Sequence, residues 1–402
     1  MYEKFKRRNQ ALINAYHLAK AVIANFYFGF PSKKLKVIGV TGTDGKTTTT
    51  LLIYHILKSA GKKASMISSI YAKIGEQEFS TGLHVTTPDG ILVQKLLKDA
   101  VDQSDEYFVL ETTSHGLDQN RVWGIKFKIG VVTNITDEHL DYHKTYDRYF
   151  KAKAKLLLNS AISVINRDDS SYERLKQLLE SKGKKIYTYG LKNKSDFIFT
   201  TKYNTEFNNY NYSAAYAVAS LLDIRDNKIT AAANSFQLPA GRLETVYNKN
   251  FKIIVDFAHT PNSLNNVLAA VEADMSKKGE KESRLIHVFG SAGLRDNAKR
   301  SKMGQASATY ADVIILTEED YRTEDPIKIC RQIGEGIINK GKTYEVITDR
   351  QKAIQKAVQM ARKDDVVVLT GKSHEKSLAR GKKEYPWDEF EAVKKALSQR
   401  KA

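Results

Sequence analysis

Short apolar runs rich in β-branched residues recur along this chain, each followed by a segment long enough for a helix. They span 36–40, 107–110, 129–133, 162–165 and 185–189, and then 252–255, 284–289, 313–316, 344–347 and 366–369. Alternation of this kind predicts an α/β protein, with parallel sheets covered by helices on both faces. Ten strands exceed one comfortable sheet, and Leu238-Pro239-Ala240-Gly241 punctuates the series at its middle. The chain is therefore divided into domains at 33–238 and 239–402. The stretch from Leu191 to Phe207 is polar and rich in Asn, Lys and Thr, and reads as a loop or short irregular strand region.

Residues 1–32 follow a different pattern. Lys4, Lys6, Arg7 and Arg8 precede an apolar stretch from Ala11 to Phe30 that imitates a signal sequence or anchor, but Asn14, His17, Lys20 and Asn25 interrupt it. It reads as an amphipathic helix ended before Pro31, which either packs against the body or lies on a membrane surface.

Composition narrows the class. A hydrophobic content of 42% over 402 residues suffices for two or three cores and excludes a disordered or fibrous chain. The single cysteine, Cys330, forms no intramolecular disulfide, which fits a reducing cytoplasm. The 64 Lys+Arg against 46 Asp+Glu leave a net charge of +18. Such a balance suits nucleic acid, membrane headgroups or an anionic substrate; the lysines are scattered among acids, with no RNP, zinc-finger or helix-turn-helix signature, which argues against nucleic acid, and a phosphate-rich substrate would use the charge equally well.

The strongest local signal runs from Val37 to Thr50, a buried strand, the Gly-rich turn Thr41-Gly42-Thr43-Asp44-Gly45, and then Lys46-Thr47-Thr48 opening a helix. Such a turn aims backbone N–H groups and a helix N-terminus at an anion. Lys46 would reach the β- and γ-phosphates and Thr47 would offer its hydroxyl to Mg²⁺. This predicts an ATP site in a P-loop-type domain, although Val40 stands where the general motif has its first Gly.

The spelling Thr41-Gly42-Thr43-x-Gly45-Lys46-Thr47 resembles the Mur ligase superfamily, which shares that departure. Further segments match in order: Glu111-Thr-Thr-Ser114-His115, Asn134-Ile-Thr-Asp-Glu-His139, Phe207-Asn208-Asn-Tyr-Asn211, Gly241-Arg242-Leu-Glu244, Asp256-Phe-Ala-His259-Thr-Pro261, Gly290 with Arg295-Asp296 and Lys299-Arg300, and Gly371-Lys372-Ser-His374-Glu375. The last ones are characteristic of the branch that adds the third residue of the peptidoglycan stem peptide, the MurE-type synthetases. The resemblance runs from about residue 33 to the C-terminus and implies a central ATPase domain followed by a Rossmann-like one.

It also implies the chemistry. A substrate carboxylate attacks the γ-phosphate of ATP, and an amine then displaces phosphate from the acyl phosphate. Thr47, Glu111 and His139 are the implied metal ligands, together with a carbamylated lysine whose spacing selects Lys153 from Lys151, Lys153 and Lys155. Asn208 and Asn211 are placed near adenine, and Arg242 and Asp256 at phosphate and ribose, which makes the ATP site an interdomain one that closes on binding. Thr86, Thr87, Ser114, His115 and Arg121 are assigned to the peptide acceptor.

The incoming amino acid falls to Arg295, Glu319, Asp320, Arg322, Gly371 and Glu375. Where diaminopimelate-adding members carry Asp-Asn-Pro-Arg, this chain has Glu319-Asp320-Tyr321-Arg322. The retained guanidinium can grip a distal carboxylate that lysine lacks, which ranks meso-diaminopimelate first. Full-length relatives begin with a domain of roughly a hundred residues that holds uridine diphosphate, and too few residues precede Lys36 to form it. Either the basic residues at 4–8 hold that end, or the acceptor is nucleotide-free or lipid-linked. A folylpolyglutamate or cyanophycin-type ligase, and a non-catalytic ATP-binding module, are the competing readings. The segments ending in Pro261 and Glu375 favour the peptidoglycan side.

Overall fold

In the computed structural model the run at 36–40 forms β1 (Lys36–Thr41), buried at every position from Val37 onward. Ile38 and Val40 face one core, shared with the helices Lys46–Ser59 and Glu206–Leu221, while Val37 faces another, shared with the helix Gly90–Asp102. A strand covered on both faces has no polar side, so its sequence reads as a continuous apolar run. The structure describes residues 10–79, 87–201, 205–277 and 283–400; Lys4, Lys6, Arg7, Arg8 and Thr86 lie outside these.

The chain divides into two units, Met1–Gln237 and Leu238–Ala402. The first holds an eight-stranded sheet made of β1, β2 (Ala64–Ile67), β3 (Ala72–Ile74), β4 (Gln77–Phe79), β5 (Tyr107–Glu111), β6 (Phe127–Val132), β7 (Ser160–Asn166) and β8 (Lys185–Tyr189). Its order is β4-β3-β2-β5-β1-β6-β7-β8. From β2 to β8 the pairing is parallel, with Val40 beside Glu111 and Thr41 beside Val132. The antiparallel pairs are β2 with β3 and β3 with β4, at one edge.

The second unit holds a six-stranded sheet in the order β13-β12-β11-β14-β10-β9, plus a separate hairpin. These strands are β9 (Glu244–Asn248), β10 (Lys252–Asp256), β11 (Leu285–Phe289), β12 (Val313–Leu316), β13 (Glu345–Val346), β14 (Val366–Thr370), and the hairpin β15 (Ser377–Arg380) and β16 (Lys383–Pro386). Strands β2 to β4, β9, β15 and β16 are additions to the ten that the sequence pattern predicts, and β9 makes the second sheet mixed as well. A helix fills Gln10–Tyr27, and its buried residues are Ala21, Ala24 and Asn25.

Candidate active site

The C-terminal ends of β1, β5 and β6 meet at the Gly-rich turn, the crevice position at which open α/β sheets bind ligands. Gly45 holds φ 80, and a Cβ there would fall 2.3 Å from Asn211 Oδ1; one on Gly42 would fall 1.7 Å from Thr133 Oγ1. Both positions therefore need glycine. The turn is laced to the end of β6. Thr43 N donates to Asn134 O at 2.9 Å, Asp44 N to Asn134 Oδ1 at 2.9 Å, and Thr133 Oγ1 to Asp44 O at 2.6 Å. Asp89, Asp325 and Asp349 each cap a helix with a carboxylate, but no side chain caps Lys46–Ser59 at Gly45. That N-terminus suits an anion.

Thr47 Oγ1 donates to Glu111 Oε1 at 3.1 Å and lies 2.8 Å from Ser69 Oγ, while Ser69 N donates to Glu111 Oε2 at 2.8 Å. Glu111 is buried at the last position of β5. This is a hard-oxygen donor set. Among the described residues no three His, Cys, Asp or Glu side chains converge as a ready cation cage. The oxygens of Thr47 and Glu111 are of the kind that suits Mg²⁺, which takes one or two protein groups and completes its shell with phosphate oxygens and water.

Lys46 Nζ folds back to Thr43 O at 2.7 Å, and Thr43 Oγ1 lies 3.0 Å from the Tyr149 hydroxyl. Lys153 Nζ sits 4.5 Å from the centroid of the Tyr149 ring, whose centroid is 6.1 Å from that of His139. His139 caps a one-turn helix at φ 57 and packs edge-on against His115. Lys46, Glu111, His139 and Lys153 therefore line one region of the first unit.

Lys153 is fully buried in the helix Tyr146–Leu158, and desolvation, with the nearby Lys46 charge, holds its amine well below the ordinary lysine range. Lys151 and Lys155 are different. They pair with Asp147 at 2.8 Å and Asp118 at 3.5 Å.

Asn208 and Asn211 are buried under the turn, with Asn211 Oδ1 accepting from Thr49 Oγ1 and Asn211 Nδ2 donating to Asn208. Here they brace the phosphate turn. Thr87 Oγ1 bonds to the β5 end at Glu111 O (3.3 Å) and accepts from Thr113 N, and Arg121 Nη1 donates to Thr87 O at 2.8 Å. Ser114 is buried at the start of the helix Ser114–Asp118. Thr87, Ser114, His115 and Arg121 thus form one wall beside Glu111.

In the second unit Gly241 N donates to Glu244 Oε2, and the buried Asp256 accepts from Leu243 N and Ala258 N at 2.7 Å each. Arg242 stacks over Phe257, and its Nε is buried without a hydrogen-bond partner, a donor suited to an anionic ligand. A second cluster lies where β12 and β14 end. Lys372, fully buried, donates to both oxygens of Asp320 (3.3 and 3.4 Å) and to Glu375 Oε1 (3.1 Å). Asp320 also accepts from Ala379 N, so its carboxylate is spent inside the protein. Glu319 is not. Its Oε2 is buried with no hydrogen-bond partner, 2.7 Å from where a Cβ on Gly371 would stand, and burial beside Asp320 pushes this carboxyl up to about 7. Arg322 holds φ 53 and donates through Nη1 to the carbonyls of Gly293 and Asp320. Arg295 is exposed.

Comparison with known proteins decides the family. The description "Mur ligase middle domain" fits residues 40–271, and "Mur ligase, glutamate ligase domain" fits residues 241–373. The chain belongs to the Mur ligase family. The UDP-N-acetylmuramoyl-L-alanyl-D-glutamate–2,6-diaminopimelate ligase of Aquifex aeolicus is 40% identical over 93% of this chain and 80% of its own length. A ligase of the same description from Clostridium acetobutylicum is 38% identical over 95% of this chain and 82% of its own. A solved Mur ligase structure of that description superposes with a TM-score of 0.57 at 29% identity, covering 90% of this chain and 78% of the other. A folylpolyglutamate/dihydrofolate synthase from Yersinia pestis reaches a TM-score of 0.67 at 17% identity over 88% of this chain and 92% of the other, a likeness of fold alone.

Several groups at this Mur ligase site carry no sequence signal. Ser69 follows β2, a strand spelled Ala-Ser-Met-Ile, and nothing in that spelling marks its N–H as a clamp on Glu111. Asp169, a charged neighbour of Lys153, belongs to no motif, and Glu138, another, stands in the Asn134–His139 segment at a position given no role there. Three imidazoles are held neutral chiefly by burial: His143 beside the first-unit site is lowered to about 4, and His287 and His374 in the second unit to about 3 each. Each binds its proton more weakly folded than unfolded, where the ordinary value is 6.5. The unfolded chain therefore takes up more protons as the pH falls below that value, and stability is lost progressively through the window down to the folded values. Thermal melts should show the midpoint falling between about pH 6.5 and pH 5, where His287 alone removes about 2 kcal/mol against a partial offset from Glu319, whose raised carboxyl binds its proton more tightly folded than unfolded; substituting His287 by Gln should flatten that slope.

Proposed function

We propose that this chain is an ATP-dependent ligase that joins an amino group of 2,6-diaminopimelate to the glutamate carboxylate of a UDP-N-acetylmuramoyl-L-alanyl-D-glutamate acceptor. One observation carries the reading: an uncapped phosphate-binding turn shares its crevice with the Thr47–Glu111 pair, His139 and the buried amine of Lys153, in a chain 40% identical to a ligase of that description. ATP is consumed. A carboxylate oxygen of the acceptor bonds to the γ-phosphorus as the bond to ADP breaks; the diaminopimelate nitrogen then bonds to the acyl carbon as the carbon–phosphate oxygen bond breaks, and the ammonium proton leaves.

Each protein group has a physical task. Lys46 and the helix N-terminus offset the repulsion between triphosphate and carboxylate. Divalent cations, when bound, neutralise developing phosphoryl charge, and Thr47, Glu111, His139 and Lys153 would hold them. A neutral Lys153 amine would add CO₂, its nitrogen bonding to the carbon as one N–H proton is released to water, and the resulting carbamate would offer anionic oxygens to a cation. Thr87, Ser114, His115 and Arg121 orient the acceptor peptide. In the second unit Arg322 grips the distal carboxylate of the amino acid, Glu319 with Glu375 holds an ammonium group, and Gly371 leaves room for Glu319 to face it.

The test is ADP release with ATP, Mg²⁺, the acceptor dipeptide nucleotide and one amino acid at a time. ADP should form in step with the amide product, with diaminopimelate and neither lysine nor glutamate. Turnover of a folate with glutamate, or none with any muramoyl dipeptide, overturns the reading. Changing Glu319 to Gln should raise KM for diaminopimelate roughly tenfold to a hundredfold while KM for ATP stays put, because a charge-assisted hydrogen bond of about 1.5–3 kcal/mol is weakened; steady-state kinetics in each substrate check it.

A further inference from the structure

The helix Gln10–Tyr27 packs one side onto the first unit and leaves the other bare. Its inner side is fixed. Asn25 Nδ2 donates to Ala21 O and Trp123 O at 2.8 Å each, Lys20 pairs with Asp89 at 3.0 Å, and Ala21 closes on Gly90. Its outer side is apolar: Leu12, Tyr16, Ile23, Phe26 and Tyr27 are all exposed, Phe26 at 69% and Tyr27 at 81%. At about 100° per residue these five fall within about 100° of arc, a single stripe running the length of the helix. No other exposed position on the helix, Ala11, Ala15 or Ala19, is polar.

The stripe runs into a basic surface. The Phe26 and Phe30 rings are 5.1 Å apart, and the Lys33 ammonium lies 4.5 Å from the centroid of the Phe30 ring. Lys33 and Lys36 then share the rim of a cavity with Lys126 and Lys128, and Lys34 lies between them in sequence. All five lysines are exposed, and among the described residues none pairs with a carboxylate. Trp123, 39% exposed, lies beside the patch on the segment that Asn25 holds.

We infer that this face docks on an anionic phospholipid bilayer surface. An apolar stripe of large side chains, aromatic rings at its margin and unpaired lysines at its end match the acyl boundary, the interface and the headgroups respectively. Lys4, Lys6, Arg7 and Arg8 precede the helix in sequence and add charge of the same sign. Charge also argues against a second copy as the occupant, because two such faces would oppose lysine to lysine. No helix among the described residues is long and apolar enough to cross a membrane, so the contact is peripheral. It is independent of the ligase reading.

The test is co-sedimentation of the full chain with vesicles of phosphatidylcholine, with and without phosphatidylglycerol. Binding should require phosphatidylglycerol and weaken with added salt. A variant with Lys33, Lys34, Lys126 and Lys128 all changed to Gln should bind about a hundredfold or more weakly. A second variant, with Leu12, Ile23 and Phe26 changed to Gln, should lose binding as well, and both should keep the parent melting temperature because every changed side chain is exposed. Equal retention of the parent chain and both variants, or no retention of the parent, overturns the inference. So does a lipid-free dimer, seen by sedimentation velocity, that the apolar variant abolishes.

Discussion

Replacing Lys153 by alanine lowers kcat roughly a thousandfold, the cost of removing one preorganised charge-stabilising group from a phosphoryl-transfer site. KM for diaminopimelate should hardly change, since that amino acid is assigned to the second unit. The argument rests on burial. A lysine with no exposed surface has its amine pushed toward the neutral form, and a neutral amine is the form that captures CO₂. Two controls separate this from structural loss. Lys151→Ala and Lys155→Ala remove surface ion pairs worth at most about 1 kcal/mol and should leave kcat within about twofold. A short carboxylate such as acetate should restore part of the Lys153→Ala rate by supplying the missing oxygens; rescue is read from initial rates of ADP release.

The second large effect is on specificity. Arg322→Ala should lower kcat/KM for diaminopimelate roughly a hundredfold to a thousandfold, because two charge-assisted hydrogen bonds to the distal carboxylate are lost. Arg322 also donates to Gly293 O and Asp320 O and sits at φ 53, so part of any loss could come from the loop itself. Arg322→Lys distinguishes the two. It keeps the charge without the planar fork, so it should recover only a fraction of the activity with diaminopimelate, while the melting temperatures of parent and both variants stay close. Unchanged kinetics with diaminopimelate in Arg322→Ala contradict the assignment.

What was legible in the sequence follows from burial. Strand β1 is covered on both faces and therefore spells itself as an apolar run, and so do β5, β6, β10, β11 and β14. Strand β2 is equally buried but contains Ser65, whose hydroxyl is satisfied by Asp105 and Gly75 N, so its polarity hid it. Strands β9 and β16 lie at a sheet edge and in a hairpin, where polar residues are admissible, and no apolar period marks them. The phosphate turn was legible because glycine is forced at Gly42 and Gly45 by close approach. Ser69 and Asp169 were not, since they reach the site through tertiary folding from segments with no local constraint. Asp320 shows the converse: the motif made it a ligand, and the structure ties it to Lys372 and Ala379 N, leaving Glu319 as the buried acid with an oxygen not engaged by the protein.

The ligase reading depends on triphosphate and divalent cations meeting among Lys46, Thr47, Glu111, His139 and Lys153. A crystal structure with Mn²⁺ and a non-hydrolysable ATP analogue, with the anomalous signal of manganese recorded, tests this most directly. The expected map has one manganese peak within coordination distance of Thr47 Oγ1 or Glu111, a second near His139, and additional density extending from Lys153 Nζ. Manganese bound elsewhere, or phosphates lying away from the Gly42–Gly45 turn, contradicts the account.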